Sequence, residues 1–199
     1  LSIFHQQMSQ MEANGLVWKI QTDTYQRELE RYGDATITLA ESLFSEDSFS
    51  ILQFLSATNG DEREQIRWIF GLKSIDTLLN DFGYDTERKL HLLNHLKESF
   101  AKEFGMEQHL KSQLDKRYRD YRPSLESFEE KFPELINILA ERSEALTPIV
   151  ENILILNQNN ALEVSLDNLL NSYIHMVVNR LITSNPRMHE LMMYDFLYR

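Results

Sequence analysis

Six glycines and four prolines are all that can interrupt this chain of 199 residues. Average chains carry roughly 12% of the two together, so turns are scarce here. A sandwich or barrel of many short strands needs a turn every few residues, which leaves long helices as the expected elements. With 42% apolar residues, among them 29 leucines and 11 phenylalanines, the chain is rich enough in core-forming side chains to fold. It contains no cysteine, which excludes disulfides, thiolate-bound zinc, iron–sulfur clusters and a cysteine nucleophile together. No apolar run reaches the roughly 18 residues of a membrane span. The longest, Ile149 to Leu156, is broken by Glu151 and Asn152. No basic-then-apolar leader opens the sequence, so a cytoplasmic setting is expected. Because the first residue is Leu1 and not methionine, the chain is expected to begin inside a longer product.

Twenty basic residues face 31 acidic ones, a net charge of -11. Such a surface repels nucleic-acid phosphates, so direct nucleic-acid binding is not expected. A local exception surrounds Tyr118 and Tyr121, where Lys111, Lys116, Arg117, Arg119 and Arg122 cluster. Asp115 and Asp120 lie inside that stretch, as on an ordinary solvated helix face.

The pattern is helical almost throughout, with one expected strand. Residues 2–12 read as a polar helix, ended by the turn signal Asn14-Gly15. Leu16 to Ile20, continued by Thr22 and Thr24, has strand composition. A lone strand cannot satisfy its own backbone, so it is expected to pair outside this segment. Helices are then expected over roughly 35–44 after Asp34, and 46–58 opened by Ser45, Glu46 and Asp47. The next runs from a capping box at Asp61 and Glu64 to Phe82. Further helices are expected over 86–104 (stopped by Gly105), 107–121, 133–156, 165–183 and from Pro186 onward, with Pro123-Ser124 restarting the chain. The fold class is therefore mainly α: roughly seven or eight helices in one domain over 1–199, with a minor strand component near the N-terminus.

Two places concentrate chemistry. On the 165–183 helix, Leu166, Leu169, Leu170, Tyr173, Val177 and Leu181 share one face, a core stripe at 100° per residue. Asn168, Ser172, His175 and Asn179 share the opposite face, polar but without charge. Other helices here solvate their outer faces with Glu, Lys and Arg, so this stripe is expected to be covered or to line a cleft. There His175 is either a hydrogen-bonded interior histidine or an acid–base group, and Arg180 follows one turn on. The second place is Tyr25, Arg27, Glu28, Glu30, Arg31, Tyr32 and Gly33, at the junction of the strand and the next helix. It reads either as a solvated charge cluster or as a site in which Arg31 grips carboxylate oxygens in bidentate fashion. His91 and His95 have metal-pair spacing, but Leu92 stands where a metalloprotease motif has glutamate, and no metal is expected.

Together these residues form a pattern. Tyr25 to Gly33 resembles the YxREhERYGG motif of the C-terminal, glutamate-elimination domain of lanthipeptide dehydratases, also called the thiopeptide-type bacteriocin biosynthesis domain. Ala40-Glu41-Ser42-Leu43-Phe44 with Asp47-Ser48 resembles that family's AExLFxxDS segment. Ile75-Asp76 through Leu79 and Asp81-Phe82-Gly83 resembles its IDxLLxDFG stretch. Ser172 to Met176 with Asn179-Arg180-Leu181 resembles its SxxHMxxNRL motif. The likeness runs in order over roughly residues 16–199.

What the resemblance implies is a lyase step without a cofactor. A glutamylation domain or subunit esterifies Ser or Thr of a precursor (leader–core) peptide with glutamate from glutamyl-tRNA. The elimination domain then removes the Cα proton and expels glutamate, leaving dehydroalanine or dehydrobutyrine. By family position Arg31, Glu28 and His175 are the catalytic candidates, with Arg27, Tyr32, Asn179 and Arg180 as substrate-binding candidates. The chemistry agrees, since an enolate oxygen needs a cation beside it and both carboxylates of glutamate suit arginine. The sequence departs from the pattern at Asp34, where the family has a second glycine. The family's upstream arginine-bearing strand of HLRhR type does not precede Leu16. The chain is therefore expected to be a piece of a longer enzyme, to borrow that strand, or to have lost catalysis. Two other readings stand beside elimination: the pyridine-forming cycloaddition enzymes of the same family, and a non-catalytic helical module that binds peptide.

Overall fold

The scarcity of turn residues is realised as long helices, joined by short links except for the non-helical stretch 14–28. The computed structural model describes residues 2–103, 108–182 and 184–199. Among these residues it contains ten helices and no strand. They are α1 (Ser2–Ala13), α2 (Leu29–Tyr32), α3 (Ile37–Ala57), α4 (Gly60–Asp81), α5 (Thr86–Glu103), α6 (Gln108–Glu126), α7 (Phe128–Lys131), α8 (Pro133–Gln158), α9 (Leu166–Leu181) and α10 (Pro186–Tyr198). The count exceeds seven or eight partly because α2 and α7 are single turns. Gly105 and Thr183, read as helix ends, lie outside the described residues. None of the described helices is long and apolar enough to cross a membrane.

The expected strand at 16–24 does not form. The backbone N–H groups of Leu16 and Val17 both donate to the Met11 carbonyl, at 2.9 and 3.2 Å, and close the end of α1. Leu16 and Trp18 stand 73% and 93% exposed. Strand propensity is a fit to a half-covered pleated surface, and no such surface adjoins this segment in the described residues.

Four other expectations change for identifiable reasons. The break between two helices at Ser45 to Asp47 is absent, and α3 runs through it. Asp47 is 1% exposed and binds Arg142 of α8. A cross-helix partner thus outweighs its preference for a cap. Asp34 does not cap α3; Thr36 holds the N-cap position. The Asp61–Glu64 box is not made either, because Glu64 pairs with Arg67 at 2.5 Å. Pro123 lies inside α6 rather than restarting the chain. There its carbonyl accepts from both the backbone and the hydroxyl of Ser127, at 3.1 and 2.9 Å.

The core sits where α4 meets α8, α9 and α10, with α3 packed on α8 and α9. Every member of the α9 stripe is buried, from Leu166 at 8% to Tyr173 at 0%. Gly71 allows the close approach of α4, since a Cβ there would lie 3.1 Å from the Met193 methyl and 3.2 Å from Leu181 Cδ1. An aromatic group locks the site end of the fold. Tyr32 stacks on Tyr173 at 6.0 Å, and Phe44 meets both edge-on at 5.4 and 5.9 Å.

Candidate functional site

Arg31 is placed by its neighbours. Tyr32 is 4% exposed and anchors the single turn of α2 against α9. Burial raises the Tyr32 hydroxyl above the ordinary tyrosine range, opposed by the guanidinium groups of Arg31 and Arg180. Next, Gly33 has φ 76° and ψ 152°, a region open essentially to glycine alone. A Cβ there would sit 2.9 Å from Glu163 Oε2, the oxygen that also accepts the Asp34 N–H at 2.5 Å. The glycine of the Arg-Tyr-Gly motif is thus required by the backbone and by the close approach of Glu163. Gly33→Ala is expected to lower stability by about 1–3 kcal/mol, read by denaturant titration. An alanine variant as stable as the parent would show that the turn does not need this conformation.

Arg31 and His175, far apart in sequence, line one pocket of about 180 Å³. Asn171 and Ser172 of α9, Arg187 and Glu190 of α10, and Phe100 of α5 complete its wall. Glu28 lies 3.2 Å from Arg31 Nε. The uncharged polar stripe on α9 therefore does face a cleft at Ser172 and His175, while Asn168 is exposed.

The imidazole is held at both nitrogens. The Glu190 carboxylate, 1% exposed, accepts the Nδ1–H of His175 at 3.0 Å. Its other oxygen accepts the Tyr194 hydroxyl at 2.7 Å. Burial, with the Glu190 carboxylate alongside, keeps that hydroxyl well above the ordinary tyrosine range, so it remains a donor. With Nδ1 committed to Glu190, Nε2 carries the lone pair, and Asn179 Nδ2 donates to it at 2.9 Å. A carboxylate that holds one imidazole nitrogen fixes the tautomer and makes the other nitrogen a proton acceptor.

The remaining candidates, Arg27, Tyr32, Asn179 and Arg180, are not among the residues that line this pocket. Arg27 makes a bidentate pair with Glu41, at 2.8 and 2.7 Å. Arg180 lies over the Phe44 ring at 4.8 Å and 4.0 Å from Asp47 Oδ2. Asp47 is itself held by Arg142 Nε at 2.6 Å, both side chains 1% exposed. The Asp of the Ala-Glu segment and the Arg of the Asn-Arg-Leu segment thus approach each other between α3 and α9. His91 and His95 are exposed on α5, as are Lys111, Lys116, Arg117, Arg119 and Arg122 on α6.

The sequence reading passed over Glu190 and Tyr194. The available signal was a carboxylate one turn before Tyr194, at the head of a stretch from Leu191 to Phe196 that is apolar except for Asp195. A charge entering such a stretch must be paired when buried.

A mainly helical domain thus brings Arg31 and a histidine oriented by a buried carboxylate to one small pocket. The chain belongs to the lantibiotic dehydratase C-terminal family: the family model described as "Lantibiotic biosynthesis dehydratase C-term" matches residues 1–199, the whole chain. Membership places it in lantibiotic biosynthesis, with a precursor peptide as the implied substrate. No curated protein and no solved structure gives a significant match.

Proposed function

We propose that this domain eliminates glutamate from glutamylated Ser or Thr of a precursor peptide, leaving dehydroalanine or dehydrobutyrine. The observation that carries the reading is the convergence of Arg31 and a carboxylate-oriented His175 on one small pocket. The pocket is about 180 Å³. That suits an amino-acid-sized leaving group better than the macrocyclic peptide of a pyridine-forming reaction.

In the step proposed, His175 Nε2 takes the Cα proton of the esterified residue. The released electron pair forms the Cα=Cβ bond, the Cβ–O bond breaks, and glutamate departs as a carboxylate. Asn179, which is exposed, must first turn away from Nε2. Arg31 stabilises the negative charge on the enolate oxygen as it forms. Glu28 orients the Arg31 guanidinium, Glu190 the imidazole. Tyr32 holds α2 against α9 through Tyr173, while Arg27 and Arg180 tie their segments to Glu41, Phe44 and Asp47 of α3. Glutamylation is assigned to another domain or subunit and requires no nucleic-acid contact by this one. The whole acts in the cytoplasm, where aminoacyl-tRNA is available.

The test is to incubate the complete dehydratase with a synthetic peptide carrying glutamyl-Ser. Mass spectrometry should find free glutamate and a dehydroalanine peptide in equal amounts. An ester that stays intact, or that hydrolyses back to serine, would overturn the reading.

A further inference from the structure

A cleft of about 580 Å³ between α4, α6, α7 and α10 takes no part in the elimination step, which uses the pocket of about 180 Å³. Its floor is apolar: Ile66, Trp68 and Ile69 of α4 are buried, and Phe132 continues it. Tyr121 of α6, partly exposed, flanks it with its ring 4.8 Å from that of Trp68. We propose that this cleft binds an aromatic or aliphatic side chain of the precursor peptide, about three to five residues from the glutamylated Ser or Thr. The place of the reacting residue rests on the elimination reading.

Three observations support this occupant. First, the size and lining fit. Clefts of about 300–1,000 Å³ with an apolar, aromatic lining and a few polar groups are the usual form of a binding site. The family's substrate is a precursor peptide, and the smaller pocket leaves the rest of that peptide to lie elsewhere on the domain. Second, the cleft leads to the reaction pocket. A hollow of about 80 Å³ shares Glu64, Trp68 and His189 with it and reaches Ser184, just before Asn185 at the N-cap of α10. On the same part of α10, Arg187 and Glu190 line the reaction pocket. A peptide leaving that pocket thus reaches the cleft by crossing the beginning of α10. A helix with its side chains is about 10–12 Å across, and an extended chain advances about 3.3–3.6 Å per residue, which sets the spacing. Third, the rim offers hydrogen bonds for a peptide backbone. The Nδ1–H of His189 donates to the Asn185 carbonyl at 3.1 Å, which leaves Nε2 as an acceptor. Gln65 and Ser124 add an amide and a hydroxyl, and Lys131 is exposed at the edge. The carboxylate of Glu64 is taken by Arg67 at 2.5 Å. An apolar floor under such a rim takes one apolar side chain and the backbone on either side of it.

The experiment gives the complete dehydratase alanine-based peptides with one glutamyl-Ser and one phenylalanine, moved position by position away from the ester on either side. At about three to five residues on one side, kcat/KM should rise by about 10–100-fold over the phenylalanine-free peptide, through KM. Aspartate in that place should erase the gain. Ser124→Trp, which fills the cleft from its exposed rim, should bring the best peptide down to the level of the phenylalanine-free one. A gain only next to the ester, or a loss in Ser124→Trp that falls equally on both peptides, would overturn the proposal. A measurement on the unaltered enzyme does not depend on the variant's folding. With p-benzoylphenylalanine in place of the phenylalanine, photocrosslinks should map to residues 64–69 and 121–132; crosslinks confined to other helices or to another domain would overturn the proposal. Glutamate released equally fast wherever the phenylalanine stands refutes the cleft alone. No release from any peptide, with crosslinks still in the cleft, refutes the elimination reading alone.

Discussion

His175→Ala in the complete dehydratase is expected to lower the rate of glutamate elimination by about 10²–10⁴-fold, the usual worth of a positioned general base. Arg31→Ala should cost about 10²–10³-fold through loss of charge stabilisation. In both variants the glutamylated peptide should accumulate, because esterification is assigned elsewhere. Glu190→Gln sharpens the test. The Tyr194 hydroxyl donates to one Glu190 oxygen, and a glutamine that keeps its carbonyl there turns its NH2 towards His175 Nδ1. Nδ1 then becomes the acceptor, Nε2 carries the proton, and the base points the wrong way although the shape is preserved. Glu190→Gln should therefore approach His175→Ala in severity. Mass-spectrometric time courses of ester and dehydro product measure all three, and a Glu190→Gln enzyme of parental rate would remove His175 from the role of base.

The second large effect is on stability. Asp47→Ala should destabilise the fold by about 3–5 kcal/mol, the penalty for breaking a buried ion pair from one side. Arg142 would lose its partner at 2.6 Å, and Arg180 its nearest anion at 4.0 Å. Burial already pulls the Arg180 guanidinium below the ordinary arginine range, and Asp47 opposes that shift. Arg27→Ala, at an ion pair whose side chains are 49% and 26% exposed, should cost at most about 1 kcal/mol. Denaturant titration of both variants measures the contrast. A loss at Asp47 no larger than that at Arg27 would mean that the buried triad does not hold α3, α8 and α9 together.

Local pattern was enough to read the helices, since few glycines and prolines leave few alternatives and a 3.6-residue period shows directly in the sequence. The α9 stripe is the clearest instance: Leu166, Leu169, Leu170, Tyr173, Val177 and Leu181 repeat at helical spacing and are all buried. The uncharged opposite face marked His175. These features are carried by adjacent residues, so the sequence contains them.

Tertiary structure decided what depends on distant partners. Leu16 to Ile20 has strand composition but found no strand to pair with, and its first N–H groups went to the Met11 carbonyl instead. Asp47 looked like a helix start and became the buried partner of Arg142, which keeps α3 continuous. Glu190 heads a largely apolar stretch, but only the packing of α10 on α9 places it between Tyr194 and His175. The sequence by itself determined the helices, their buried faces and two separate candidates, Arg31 and His175. That they share one pocket, and that a buried carboxylate orients the histidine, was settled by the packing of helices, because a charge or a backbone donor takes its meaning from whatever the fold brings to it.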